Sequence, residues 1–173
     1  MDDKEDTQKD QTEFVGELHQ KYLENLDKTK DAEAIGFHTN EHLKLPGGYW
    51  CVGALSLLKK IYWDRKDEIM KFIKACQCQT TGGFGGNLGH DPHITTSLYA
   101  LLVAAMFDSI DQIDLDKLVG YMASMQQDDG SFSGDYAGEI DTRFSYCAIS
   151  ALSLLGRLDA IDKIKARDFL ISC

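Results

Sequence analysis

Sustained alternation of apolar and polar residues is missing from this sequence, and with it the signature of β-strands. Basic residues are few: 18 Lys and Arg stand against 28 Asp and Glu, a formal net charge of −10. Nucleic acid is thereby excluded as a partner, because it selects basic stripes. A basic protein partner is compatible with such acidity, which by itself signals only solubility. No apolar run is long enough to span a bilayer; the longest, 94–107, is short and carries Ser and Thr. The acidic start MDDKEDTQKDQ has no signal-like character, and the five cysteines (51, 76, 78, 147, 173) are odd in number. Both point to a reducing, cytoplasmic setting rather than a disulfide framework. Residues 1–12 read as an acidic disordered tail, leaving 13–173 as one domain.

What the sequence does contain is a repeat. Phe84 in TTGGFGG and Phe132 in DDGSFSG lie 48 residues apart, each after a helical segment ending in Gln. A third copy, DFLISC at 168–173, breaks off at Cys173, where the next Gln and Gly-rich loop are expected. Two helix types alternate along this period. Segments 64–77, 114–126 and 162–173 are amphipathic, with charges on one face. Segments 93–107 and 142–155 are apolar nearly all round, and 49–63 resembles them. A helix of the second type cannot face water, so it packs on several sides or lines an apolar cavity. The expectation is all-α: an α–α toroid of helical hairpins, polar-faced helices outside and apolar ones inside, of which this chain holds an incomplete part, cut in mid-repeat at Cys173.

Local motifs refine this reading. Asp141 is expected to cap the helix that follows it, where a carboxylate meets orphan N–H groups and the positive end of the dipole. Arg143, in the first turn of the same helix, is an anomaly, because a cation there faces that positive end. Either it salt-bridges Asp141 or Glu139, or it serves an anion at the helix start. Asp91-Pro92 reads as an N-cap followed by Pro at the first helical position. Cys76, Cys78, His90 and His93 miss the usual zinc spacings at both ends. The stretch GGFGG at 82–86 lacks the Lys-Ser/Thr ending of a phosphate loop and reads as turn chemistry. Glu139 and Asp141 are accounted for by loop polarity and capping.

The runs GHDPH (89–93), DDGSFSGD (128–135), GEIDTRFSYCA (138–148) and LLGRLDAID (154–162) resemble the β subunits of protein prenyltransferases, those of the type II (Rab) geranylgeranyltransferases above all. The resemblance runs from about residue 40 to the end and corresponds to the N-terminal half of such a subunit. It implies an α–α barrel around an isoprenoid pocket, paired with a helical-repeat α subunit. It further implies a catalytic zinc and transfer of geranylgeranyl from geranylgeranyl diphosphate to C-terminal cysteines of Rab GTPases presented by an escort protein. The resemblance places the family's zinc and diphosphate ligands beyond Cys173, in later repeats. This chain alone is therefore expected to hold no metal ligand and not to catalyse. Arg143 matches a residue bordering the cavity. Tyr49, Trp50, Leu98 and Tyr146 match positions lining the lipid pocket, although as residues alone they read as ordinary core. Pro46, Gly47 and Gly48 leave little bulk before Tyr49. Two other readings stand beside this one. One is a non-catalytic binding scaffold or truncated product. The other is a terpene-cyclase-like enzyme, disfavoured because 108–117, DSIDQIDLDK, contains no DxDD acid motif.

Overall fold

The computed structural model describes residues 15–26, 39–61 and 63–173, so the expected tail at 1–12 lies outside the described residues. Within these, seven α-helices follow one another: α1 Gly16–Leu26, α2 Lys44–Leu57, α3 Lys66–Ala75, α4 Ile94–Met106, α5 Leu115–Ser124, α6 Thr142–Leu154 and α7 Lys163–Ser172. Single 3-10 turns lead into α2, α3, α5 and α7. Isolated bridges are the only β-type pairing among the described residues.

The two helix types separate as their compositions require. The apolar helices α2, α4 and α6 pack side by side, while α3 leans on α4 and α5 on α6. Small residues at the α4 and α6 contacts, including Ala100, Ala104, Ala148 and Ala151, are fully buried and let the backbones approach. The starts of these helices follow capping chemistry. Asp114, Asp141 and Asp162 each accept a backbone N–H from two or three residues ahead. Two starts differ from the sequence expectation. α2 begins at Lys44 and takes Pro46 into its first turn, where no intrahelical N–H is required. α4 is capped by His93, whose Nδ1 accepts from the N–H of Thr95 at 3.1 Å. Asp91-Pro92 therefore does not cap; Pro92 pairs with Gly85 in a bridge that keeps it extended before the helix.

The Gly-rich loops are the joints of the repeat. Phe84 and Phe132 are completely buried plugs beneath them, each in a bridge with the Gln that ends the preceding outer segment. That Gln reaches forward to the next outer helix. Gln77 Nε2 donates to Asp114 O at 3.0 Å while its Oε1 accepts from Asp114 N at 3.0 Å. One period later, Gln126 does the same with Asp162, at 2.9 and 2.8 Å. Gly82 and Gly130 adopt φ of +85° and +89° and lie against the backbone at Lys117 and Lys165. A left-handed conformation pressed on a neighbouring main chain leaves room for no side chain.

Candidate functional site

The inner helices leave one side uncovered, and aromatic residues gather there. Tyr49 of α2 stacks on Tyr99 of α4, centroids 4.3 Å apart and planes 11° from parallel. Trp50 meets Tyr99 edge-on at 6.3 Å. On α6, Tyr146 is near enough to act electrostatically on this group: burial first, then Tyr99 and Tyr146, push the Tyr49 phenol up from its ordinary value. Three helices thus contribute to one cluster, whose outward members, Trp50 and Tyr146, are 53% and 64% exposed. Farther along the same helices the open residues become aliphatic, with Leu57 and Leu154 uncovered. Trp50 and Leu57 are seven residues apart, hence on one face about 10 Å long.

Of the five residues expected at a lipid pocket, the structure brings Tyr49, Trp50 and Tyr146 together. Arg143 stands one turn before Tyr146 on α6, at the helix start. Leu98 is placed differently: at 1% exposure it sits in the core and backs the wall rather than facing its open side. Its neighbour Tyr99, which sequence reasoning missed, carries the stacking. The only signal for it was rotation by 100° per residue along a helix apolar on every side.

The anomaly of Arg143 resolves in its contacts. Asp141 Oδ1 accepts from the backbone N–H of Arg143 at 2.7 Å and from its Nε at 2.9 Å, and Oδ2 accepts from Nη2 at 2.9 Å. The capping carboxylate therefore offsets the cation as well as the helix dipole. These hydrogen bonds hold the Asp141 carboxyl below the usual range and raise the guanidinium further. The side chain of Arg143 stays 74% exposed, and Nη1 has no hydrogen-bond partner among the described residues. Behind it, His93 packs edge-on against Phe144 at 5.2 Å. Burial keeps that imidazole below its ordinary pKa of 6.5, Asp135 and Glu139 pull the other way, and Arg143 adds to the lowering.

Among the described residues, cysteines and histidines do not gather into a group that could hold a metal ion. Cys76 is buried, and burial pushes its thiol up to about 11; Cys78 bonds Thr80; His93 serves as a cap. Cys173, the expected boundary before the family's metal ligands, follows α7 with an exposed side chain whose Sγ donates to Phe169 O at 3.4 Å. Among the described residues no three or more His, Cys, Asp or Glu gather closely enough to hold a metal ion. The zinc implied by the resemblance has no ligand set in them.

Comparisons with known proteins bear on this helical repeat. A model of the prenyltransferase alpha-alpha toroid domain fits residues 14–173. The chain belongs to that family. It is 38% identical over 163 residues to the geranylgeranyl transferase type-2 subunit beta of Saccharomyces cerevisiae, covering 92% of this chain and 50% of that relative. The corresponding subunit of Candida albicans is 31% identical, over 88% of this chain and 48% of its own length. A protein farnesyltransferase subunit beta of Pisum sativum matches at 36%, over 72% and 30%. The chain thus spans about half the length of the two type-2 subunits. An alpha-alpha toroid accords with the all-helical architecture and the absence of strands among the described residues. Among the described residues no helix is long and apolar enough to cross a membrane.

Proposed function

We propose that this chain supplies the first half of a type II geranylgeranyltransferase β subunit, with the open face of α2, α4 and α6 as one wall of the isoprenoid pocket. The observation that carries the proposal is the aromatic cluster Tyr49, Trp50, Tyr99 and Tyr146, assembled from three inner helices with aliphatic surface beyond it and Arg143 at its edge. Flat aromatic area suits a branched polyene. Burying each five-carbon unit stabilises the complex by roughly 3–4 kcal/mol, at about 0.8 kcal/mol per buried carbon. The exposed guanidinium of Arg143, already fixed by Asp141, suits an anionic group carried at the head of the lipid or by the acceptor. In this reading the chain works with a prenyltransferase α subunit and residues that this sequence does not contain. Its acceptors are Rab GTPases delivered by an escort protein, and zinc belongs to those other residues, which follow the position of Cys173 in the family.

Fluorescence titration of the chain with geranylgeranyl diphosphate tests the role assigned to these helices. A saturable change carried by Trp50 and lost in Trp50→Phe is expected, whereas inorganic diphosphate alone gives none. Arg143→Ala should weaken binding by about tenfold, as expected for one charge-assisted hydrogen bond, without moving the circular dichroism spectrum. No saturable change in the folded chain would overturn the reading.

A further inference from the structure

The row of inner helices ends at α2 on one side and at α6 on the other, and both ends carry apolar surface that the described residues leave uncovered. At the far end, α6 and α7 flank a groove of about 420 Å³ lined by Ile149, Leu158, Ile161, Leu170 and Ile171. Lys163 and Arg167 line it too; Arg167 bonds the adjacent Asp168 at 2.6 Å, and Lys163 has no ion-pair partner among the described residues. At the near end, α1 packs on α2 and turns Val15, Leu18 and Tyr22 outward. Residues three and four apart share a helix face, so these three form one apolar stripe. The two elements match in length. α1 has 11 residues and α7 has 10, roughly 15 Å each. Their charges are opposite. Between Lys9 and Lys21 the sequence holds Asp10, Glu13 and Glu17 and no Lys or Arg, whereas α7 holds Lys163, Lys165 and Arg167 against Asp168 alone.

We propose that a second copy of this chain seats its α1 in the α6–α7 groove, and that the exchange is mutual. The apolar stripe of α1 meets the apolar floor of the groove, while its acidic start is drawn to Lys163 and Arg167. Because α1 and the groove lie at opposite ends of the helix row, one such contact joins two copies head to tail. A second contact, made in return, closes the pair. Like faces do not pair as well: α7 against α7 would gather six Lys and Arg side chains, and α1 against α1 would gather the carboxylates. Closure also agrees with the family, since a toroid returns on itself. The chain spans about half the length of the two type-2 subunits, so two copies bring together about as much chain as one of them. None of these residues belongs to the aromatic cluster, and the inference goes beyond the lipid-wall reading without resting on it.

Sedimentation velocity of the folded chain, diluted from about 100 to about 1 μM, tests this. A species of twice the 19.3 kDa chain mass is expected at the upper end, and added salt should weaken it by screening the opposed charges. Leu18 and Ile171 are 61% and 76% exposed, so Leu18→Asp and Ile171→Asp leave the fold in place, which circular dichroism checks. Each should weaken the dimer by about tenfold or more, because it sets a carboxylate against apolar surface. Mixed in equal amounts, the two variants can still make one intact contact, α1 of the Ile171→Asp copy in the groove of the Leu18→Asp copy, and dimer should reappear. A wild-type chain that stays monomeric at about 100 μM overturns the proposal. So does a dimer indifferent to Leu18→Asp, or a mixture that associates no better than its parts; the wild-type mass stands without either variant. Lipid binding, read at Trp50, is scored apart from all of these.

Discussion

At the scale of single residues, opposite charges and buried rings are placed to do two things at once. Asp141 caps α6 and tethers Arg143, so removing it deprives the helix of its cap and releases the cation. His93 caps α4 with one nitrogen while its ring fills the space between Gly134 and Phe144. Because burial lowers its pKa, the unfolded chain binds the proton more readily than the folded one. Its contribution to stability is complete above pH 6.5 and is lost as pH falls through the lower folded value. Urea midpoints measured between pH 7 and pH 5 should fall accordingly, and His93→Asn, which retains capping ability, should flatten that part of the slope. Phe84→Ala, by emptying a wholly buried position, should destabilise by about 4 kcal/mol in denaturant titrations.

At the scale of elements, helix type and order were legible because periodicity and caps are local properties. Asp141 could be found as a capping residue from its place before an apolar run, while Asp114 and Asp162 hold the same position before amphipathic helices. The start of α4 could not, since Asp91-Pro92 satisfies the same local rule as His93 and only the bridge from Pro92 to Gly85 decides between them. The open face was half legible. In a helix apolar on all sides, periodicity does not separate Leu98 from Tyr99; contact with α2 does, by placing Tyr99 against Tyr49. The recurring glutamines were visible as end markers, while their reach across 37 and 36 residues was not. That reach is testable. Gln77 is buried, and Gln77→Ala strands the N–H and C=O of Asp114 and the carbonyl of Gly82, at a cost of about 3 kcal/mol. Gln126→Ala, at a more exposed joint where water substitutes, should cost about 1 kcal/mol. Equal losses by chemical denaturation would contradict this ranking.

At the scale of the whole molecule, apolar surface is distributed unevenly. One continuous core runs from α2 to the start of α7, yet Trp50, Leu57, Tyr146 and Leu154 remain uncovered on the inner helices. Scattered exposed hydrophobics need no explanation, but a set spread over neighbouring helices with an aromatic cluster at one end does. The folded chain should accordingly bind an environment-sensitive apolar dye such as anilinonaphthalene sulfonate, and geranylgeranyl diphosphate should displace it; dye retention at saturating lipid would show that the two occupy different surfaces. The glutamine joints carry a further consequence, for the order of events during synthesis. Each clasp closes only on a residue made 36 or 37 positions later, so every loop waits, unlatched, until most of another repeat has left the ribosome.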